Sequence, residues 1–478
     1  MPTRAYDIDA VVIGSGPNGL SAAIAIAQKG HSVVVYEAQN TIGGGARSAE
    51  LTLPGFIHDV CSSVHPLAAA SPFFQTLELE RFGLRWVMPE IALAHPFDNG
   101  EAAAIQAPFG SNLSQFGTDA HAIRQLVGPL VQFWADISKD VPGPPRLPAH
   151  PLALARFGFK ALQSARKVSR RFRTEKARAV FAGMAAHSVL PLDYWASASF
   201  GLLLWASCYS VGWPFAAGGS QTIADALTKV LRSHGGEIVT NHPIRSLDDL
   251  PSARAILCDV TPQQFLQIAA DRVTSSERHK LSRFQYGPGV FKIDWALDAP
   301  IPWKAAVCRK AGSLHIGGSF EEIARSEAAV WSGQVSEQPF LILAQPSLFD
   351  PSRAPKGKHT AWAYCHVPHG SNFDMRQRIE AQVERFAPGF GQCVLARSVM
   401  GPLDLEKHNP NLIGGDIAGG AMNLGQLFAR PTWRLYRTSA PRTFLCSAST
   451  PPGPGVHGMS GYRAALLALK QCFQSEAR

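Results

Sequence analysis

The stretch "IDAVVIGSGPNGLSAAIAIAQKGHSVVVYE", residues 8–37, constrains this chain more than any other. Its two ends are short Val/Ile-rich runs, while its middle is alanine-rich and closes on Gly30, a residue suited to stopping a helix. Strand, glycine turn, helix and strand in that order form a βαβ unit, which sets the fold class as α/β with a parallel sheet. In "GSGPNG", Gly14 permits the tight bend, Gly16 lets backbone approach a pyrophosphate, and Gly19 lets the helix lie close on the strand. Pro17 and Asn18 open a helix whose N-terminus faces the phosphates. Glu37, with Ala38 behind it, ends the second strand where an acid binds the hydroxyls of an adenosine ribose.

These features alone suit NAD and FAD equally, and the next segment separates them. "GGGARS", residues 43–48, is a second glycine turn in which Gly44, Gly45 and Ala46 bring backbone against the flavin side of the same nucleotide. Arg47 is placed to neutralise the pyrophosphate. The expected cofactor is FAD.

Similar strand and helix patterns recur at 218–262 and again in "TFLCSAST", residues 443–450, with a closing helix after it. A discontinuous Rossmann-type FAD-binding domain is therefore expected from residues 1–75, 215–284 and 411–478. A substrate domain of mixed sheet with helices is expected from 76–214 and 285–410. Its first part reads as helical, broken by "VPGPPRLPAHP" at 141–151; its second carries strand-like runs such as "GVFKIDWAL" and "HTAWAYCHV". The charge-free run from 194 to 224 reads as a buried helix lining an apolar cavity, since its serines, glycines and Pro214 suit a spanning helix poorly.

The formal net charge is +9, and residues 156–178 carry nine Lys/Arg against the single acid Glu175. A solvated helix face and a helix lying on an anionic membrane surface both fit that segment, because Phe157, Phe159, Leu162, Val168 and Phe172 are interspersed. No nucleic-acid-binding module accompanies it. The eight cysteines show neither C-x-x-C nor zinc-ligand spacing, and no charged-then-apolar leader precedes the first strand, so a cytoplasmic protein with reduced thiols and no metal is expected.

The chain resembles the phytoene desaturase-like branch of FAD-dependent oxidoreductases, within the wider amine-oxidase fold group, and most of all its subgroup of pyridine nucleotide-disulfide oxidoreductase domain-containing protein 2. The resemblance rests on "AVVIGSGPNGLSAAIAIAQKGHSVVVYEAQNTIGGGARS", "LPGFIHDVCSSVHPLAAASPFF", "GWPFAAGGSQTIADAL", "GGDIAGGAMNLGQLFARP" and "LCSASTPPGPGVHGMSGYRAA", which run from end to end. It implies that "GPGVHG", residues 453–458, closes over the flavin, with backbone amides of Val456, His457, Gly458 and Met459 stabilising the reduced ring. Consistent with this, the prolines before it and the few residues after it leave no room for a second nucleotide site. By the same resemblance Ile244 contacts adenine, and "CDVTP", residues 258–262, lies beneath the pyrophosphate. The Gly-Asp common after the last strand is absent; Cys446, Ser447, Ala448 and Ser449 stand there.

Hydride transfer to a flavin requires no protein nucleophile, only position, dryness and electrostatics, with a base where a second proton leaves. His457, Tyr364 and His65 are the candidate catalytic groups, beside His187, His366 and His369; for all of these but His457 a hydrogen-bonded structural role fits better. The expected activity is oxidation or desaturation of a hydrophobic small molecule, polyene or isoprenoid-like, with O₂ or a quinone re-oxidising the flavin. A flavin-dependent isomerase, an amine oxidase and a flavin-stabilised binding protein on a membrane surface remain open alternatives.

Overall fold

The computed structural model describes residues 6–140 and 157–473. The predicted βαβ unit forms: β1 (Ile8–Ile13), α1 (Pro17–Ala27) and β2 (Val33–Tyr36). These strands lie in a five-stranded parallel sheet whose order runs 443–445, 253–258, 8–13, 33–36, 237–239. Its strands thus come from three separated stretches of chain. Both faces are covered, which is why β1 and β2 show Val/Ile runs with no polar alternation.

Almost all of α1 is buried, and its small residues serve close packing. The helix Met459–Ala468 crosses it so closely that a Cβ on Gly461 would stand 1.7 Å from the Asn18 carbonyl oxygen. Likewise Gly19 could not carry a Cβ, which would lie 2.0 Å from the Gly14 oxygen.

A seven-stranded mixed sheet forms the second layer, in the order 394–400, 289–297, 359–367, 341–344, 311–316, 91–96, 102–105. Two of these strands, Ile91–Pro96 and Ala102–Ile105, correct the expectation that the first insertion is purely helical. "IALAHP" is buried on both faces and "AAAI" is alanine-rich, so neither carries a strand signature. On its outer face this sheet is apolar, with Phe291, Ile293, Trp295, Leu341 and Leu343 packed against Ile379, Val383 and Phe386 of the helix Arg376–Phe386.

Helices Ala120–Gln132, Glu175–Ala186 and Ala198–Ser210 form a cap beside that sheet, joined through Phe116, Phe172, Phe181 and Trp205. The charge-free run forms the buried helix Ala198–Ser210, and among the described residues no helix is long and apolar enough to cross a membrane. The basic segment is not one continuous interfacial helix. Residues 157–161 are helical, followed by short turns, Ala165–Ser169 and then Glu175–Ala186. Phe157, Val168 and Phe172 are drawn into the core, and Arg166, Lys176 and Arg178 pair with acids; Arg156 and the 141–151 break lie outside the described residues.

A buried ionic knot joins the two layers. Asp59 accepts from Ser48 Oγ (2.8 Å), Ser63 Oγ, the Ser220 amide (2.7 Å) and Arg353 Nη2 (2.7 Å). Arg353 has no solvent exposure and also donates to the Ile57 carbonyl. Removing one member of a buried pair strands the other, at about 3–5 kcal/mol. Arg353→Met is therefore expected to lower the urea midpoint strongly. Adding Asp59→Asn is expected to recover part of the loss, as measured by a double-mutant cycle of urea denaturations.

Candidate functional site

A cavity of about 540 Å³ runs from the glycine turns into the space between the two layers. At its nucleotide end Gly16 caps α1 with no side chain to cover the helix N-terminus, leaving backbone amides for an anion. Gly44, at φ +54°, brings the second turn so near that its Cβ would be 3.0 Å from Gly16 Cα. A Cβ on Gly16 would be 2.7 Å from Asp259 Oδ2. The two turns and the "CDVTP" loop therefore make one cradle, in which Asp259, Val260 and Thr261 line the wall.

Arg47 is buried in this cradle, holding the Gly44 carbonyl by Nε (2.9 Å) and the His408 carbonyl by Nη2 (3.2 Å). Among the described residues no carboxylate lies within ion-pair range of it, and burial lowers its pKa. A guanidinium with Glu37 nearby but no direct ion pair, beside bare helix-end amides, suits a pyrophosphate. Glu37 accepts from the Ser15 amide (2.9 Å) and hydroxyl (2.6 Å) and from the Gln39 amide (2.9 Å), which hold its carboxylate at the end of β2. Residues of the cradle thus fit the diphosphate and ribose of FAD.

Of the predicted cofactor residues, Gly14, Gly16, Pro17, Asn18, Glu37, Ala38, Gly44, Gly45, Arg47, Ile244 and Val456 line this cavity. Gly19 and Ala46 do not reach it; they shape the turns behind it. The C-terminal turn requires a correction. His457 points into a separate small pocket with Ser71, Trp134 and Met459, away from the main cavity. Its Nδ1 accepts from the Met459 amide (3.0 Å), and its carbonyl accepts from Ser71 Oγ (2.7 Å). The imidazole therefore caps the closing helix, consuming an amide expected to face the flavin. Gly458 is needed because a Cβ there would meet Ser21 Oγ at 2.0 Å, and Met459 is buried in the nucleotide-domain core. Ser447 and Ser449 line the cavity where the Gly-Asp is missing, with Ser449 Oγ donating to the Gly419 carbonyl (2.7 Å).

Beyond the cradle the walls become Val189, Phe200, Leu204, Trp213 and Ile342. Phe200 and Leu204, one turn apart on Ala198–Ser210, put the same helix face on the cavity. His65 and Tyr364 both stand here. Ser220 Oγ donates to the Ser62 carbonyl (2.6 Å), so His65 Nε2 donates to Ser220 Oγ (2.8 Å) and its Nδ1 is a bare acceptor. Burial lowers the His65 pKa to about 4, which keeps the ring neutral with Nδ1 unprotonated. Tyr364 stacks on Trp362 with centroids 5.7 Å apart, and burial raises its pKa.

Sequence reasoning passed over two groups. Lys292 and Asp294 form a buried pair on the strand Gly289–Leu297, beneath Trp362, with nothing in "FKIDWAL" to announce that both face inward except their spacing of two. Asp259 is the second, placed by sequence only as part of the "CDVTP" loop and given no role of its own. It accepts from the Gly19 amide (2.9 Å), and burial, with nearby Glu37, pushes its pKa up to about 7. Unfolded, this carboxyl ionises near its ordinary value of 3.8. Stability is therefore lost as pH rises from about 4 to about 7, and above 7 the carboxylate opposes an entering diphosphate. Asp259→Asn, which keeps an acceptor for Gly19, is expected to bind FAD more tightly than the parent at pH 8. The gap should narrow toward pH 6, as read by FAD fluorescence titration across that range.

Comparison with known proteins agrees with this geometry. The chain is 25% identical to pyridine nucleotide-disulfide oxidoreductase domain-containing protein 2 of Rattus norvegicus, over 97% of this chain and 94% of that protein. It is 22% identical to the phytoene dehydrogenase of Streptomyces griseus, over 93% and 92%. Among solved structures, an oxidoreductase from Methanosarcina mazei superposes with a TM-score of 0.68 at 15% identity, covering 97% of this chain and all of that one, and shares the fold. The family profile of flavin containing amine oxidoreductases matches residues 18–466. With the cradle for FAD and the two-layer architecture in place, the chain belongs to the flavin containing amine oxidoreductase family.

Proposed function

We propose that this oxidoreductase removes hydride from a carbon of a hydrophobic small molecule of polyene or isoprenoid type, with O₂ or a quinone as the final electron acceptor. The observation carrying this reading is the continuity of one cavity from the FAD cradle into walls of Phe200, Leu204, Ile342 and Trp213. FAD, when bound, supplies the hydride acceptor. Arg47, Glu37 and the turns at Gly14, Gly16 and Gly44 hold it. Apolar walls exclude water and align an extended chain.

His65 supplies the acid/base function where a proton must leave carbon. Its Nδ1 takes the proton, while Ser220 and the Asp59 knot hold the ring in place. Tyr364 orients substrate beside it. The amine oxidase alternative is less well supported, because Glu37 and Asp259 are the acids lining the cavity among the described residues, and both stand at the nucleotide end. A protonated amine would find no counter-charge by the apolar walls.

A membrane surface is the proposed source of such a substrate. Phe159 (73% exposed) and Trp195 (65% exposed) are brought near one another by the Ala196 amide donating to the Leu162 carbonyl (2.9 Å). Exposed Lys167, Arg170, Arg171 and Arg173 follow in the same segment. Aromatic side chains beside cations suit an anionic headgroup layer.

Three experiments test these readings. Gly16→Trp is expected to yield folded protein lacking the yellow flavin absorbance, and His65→Ala to keep FAD while flavin reduction by a polyene substrate falls about 10²- to 10⁴-fold. A colourless parent protein, or a His65→Ala rate equal to the parent's, counts against them. Co-flotation with phosphatidylserine vesicles is expected for the parent and lost in Phe159→Ser/Trp195→Ser; unchanged flotation of the variant rejects the membrane contact.

A further inference from the structure

The inner face of the seven-stranded sheet is not what a pure hydrocarbon requires. Register places Ser313, Ala344, Trp362 and Asp294 in one row across four strands, and His315, Ile342, Tyr364 and Lys292 in the next. Alternation turns all of these to one side, the side that carries the cavity wall, while the opposite side is largely apolar beneath Arg376–Phe386, with Arg397 and the Trp295 indole meeting Glu380 there. Polar side chains have thus been kept on the one face where a ligand would lie.

Four of them carry a buried side-chain atom without a hydrogen-bond partner, Ser313 Oγ, Trp362 Nε1, His315 Nδ1 and Asp294 Oδ1, and of these four residues Ser313 and Trp362 line the cavity. Ser313 and Trp362 belong to the cavity wall, and their Oγ and Nε1 lie buried just behind its surface without a hydrogen-bond partner. Trp362 Nε1 is a donor only, and Ser313 Oγ carries a donor of its own. They stand two strands apart, roughly 10 Å. A buried donor left unpaired is costly, so such groups are expected to have partners once the site is filled.

Charge narrows the partner further. His187, on the cavity wall, shares a hydrogen bond with buried His315 (Nε2 to Nε2, 2.8 Å), and burial lowers both pKa values, His187 to about 3. Lys292 is neutralised by Asp294, and His366 Nδ1 is paired with Glu327 (2.7 Å). This end of the cavity therefore offers neither a spare cation for a carboxylate nor a spare anion for an ammonium.

We infer that the substrate is a neutral oxygenated lipid, an isoprenoid-like chain bearing a hydroxyl or carbonyl oxygen that accepts from Trp362 Nε1 or Ser313 Oγ, rather than a hydrocarbon. This rests on the reading of the chain as a flavoenzyme acting on hydrophobic molecules. An oxygen at one end fixes which carbon of a repetitive chain lies at the flavin, a selection that apolar walls alone make poorly.

The test uses the FAD-loaded protein, titrated without oxygen with farnesol and with the matched hydrocarbon β-farnesene, following perturbation of the flavin absorbance. Farnesol is expected to bind about tenfold more tightly, the factor one well-made hydrogen bond supplies. Ser313→Ala and Trp362→Phe, at unchanged FAD content, should each lower the farnesol-to-farnesene ratio about threefold or more with little effect on farnesene. Equal binding of the two, or ratios unmoved in both variants, overturns the inference while leaving the hydrophobic-substrate reading standing. If neither ligand perturbs the flavin, both fall.

Discussion

Asp59 is the point on which the two layers of this protein depend. Its carboxylate gathers donors from segments far apart in sequence: Ser48, Ser63, the amide of Ser220 and the guanidinium of Arg353. The first three belong to the nucleotide side and the last to the loop before a strand of the seven-stranded sheet. Desolvating two charges brings little net stability, but it makes their geometry exclusive, because any displacement leaves a buried charge unmatched. Arg353 and the surrounding hydrogen bonds hold the Asp59 pKa far below the usual carboxylate range despite its burial. The folded structure thus holds the knot in its ionised form.

From that knot the site geometry follows. Ser220 is fixed by Asp59 through its amide, leaving its hydroxyl to bridge the Ser62 carbonyl and His65. Direction in this chain of bonds settles the tautomer: the Ser220 proton is already given to a carbonyl, so the imidazole must donate from Nε2. Burial lowers the affinity of His65 for a proton, so what the Ser220 bond gives this ring is a fixed orientation and not added basicity. The neighbouring Lys292 and Asp294 illustrate the alternative, in which buried charges pair with each other and leave the cavity neutral.

The nucleotide half was legible because its chemistry is carried by backbone. A diphosphate is held by helix-end amides, and only glycine allows the approach of Gly14, Gly16 and Gly44, so the spacing of glycines is itself the signal. Arg47 and Glu37 were found for the same reason, at fixed offsets from those turns. "GPGVHG" has the same spacing yet another cause. Gly458 is required by the crossing of two helices at Ser21, a contact between residues hundreds of positions apart that no local pattern encodes, and His457 caps the second of these helices two residues along.

The substrate half was harder to read because its functional side chains share a face only after strands are set in register. Ser313, Ile342, Trp362 and Lys292 come from four strands, and nothing in "AGSLHI" or "HTAWAYCHV" distinguishes a cavity wall from an ordinary half-buried strand. Alternation does offer a clue in hindsight. In "GVFKIDWAL" the apolar set Phe291, Ile293 and Trp295 interleaves with Lys292 and Asp294, yet the whole strand is buried. A strand polar on one side and still dry on both must face either a partner of matching polarity or a ligand. Lys292 and Asp294 answer the first condition, while Ser313 and Trp362, on other strands of the same face, stand at the cavity wall, a placement that register brings about and no motif announces.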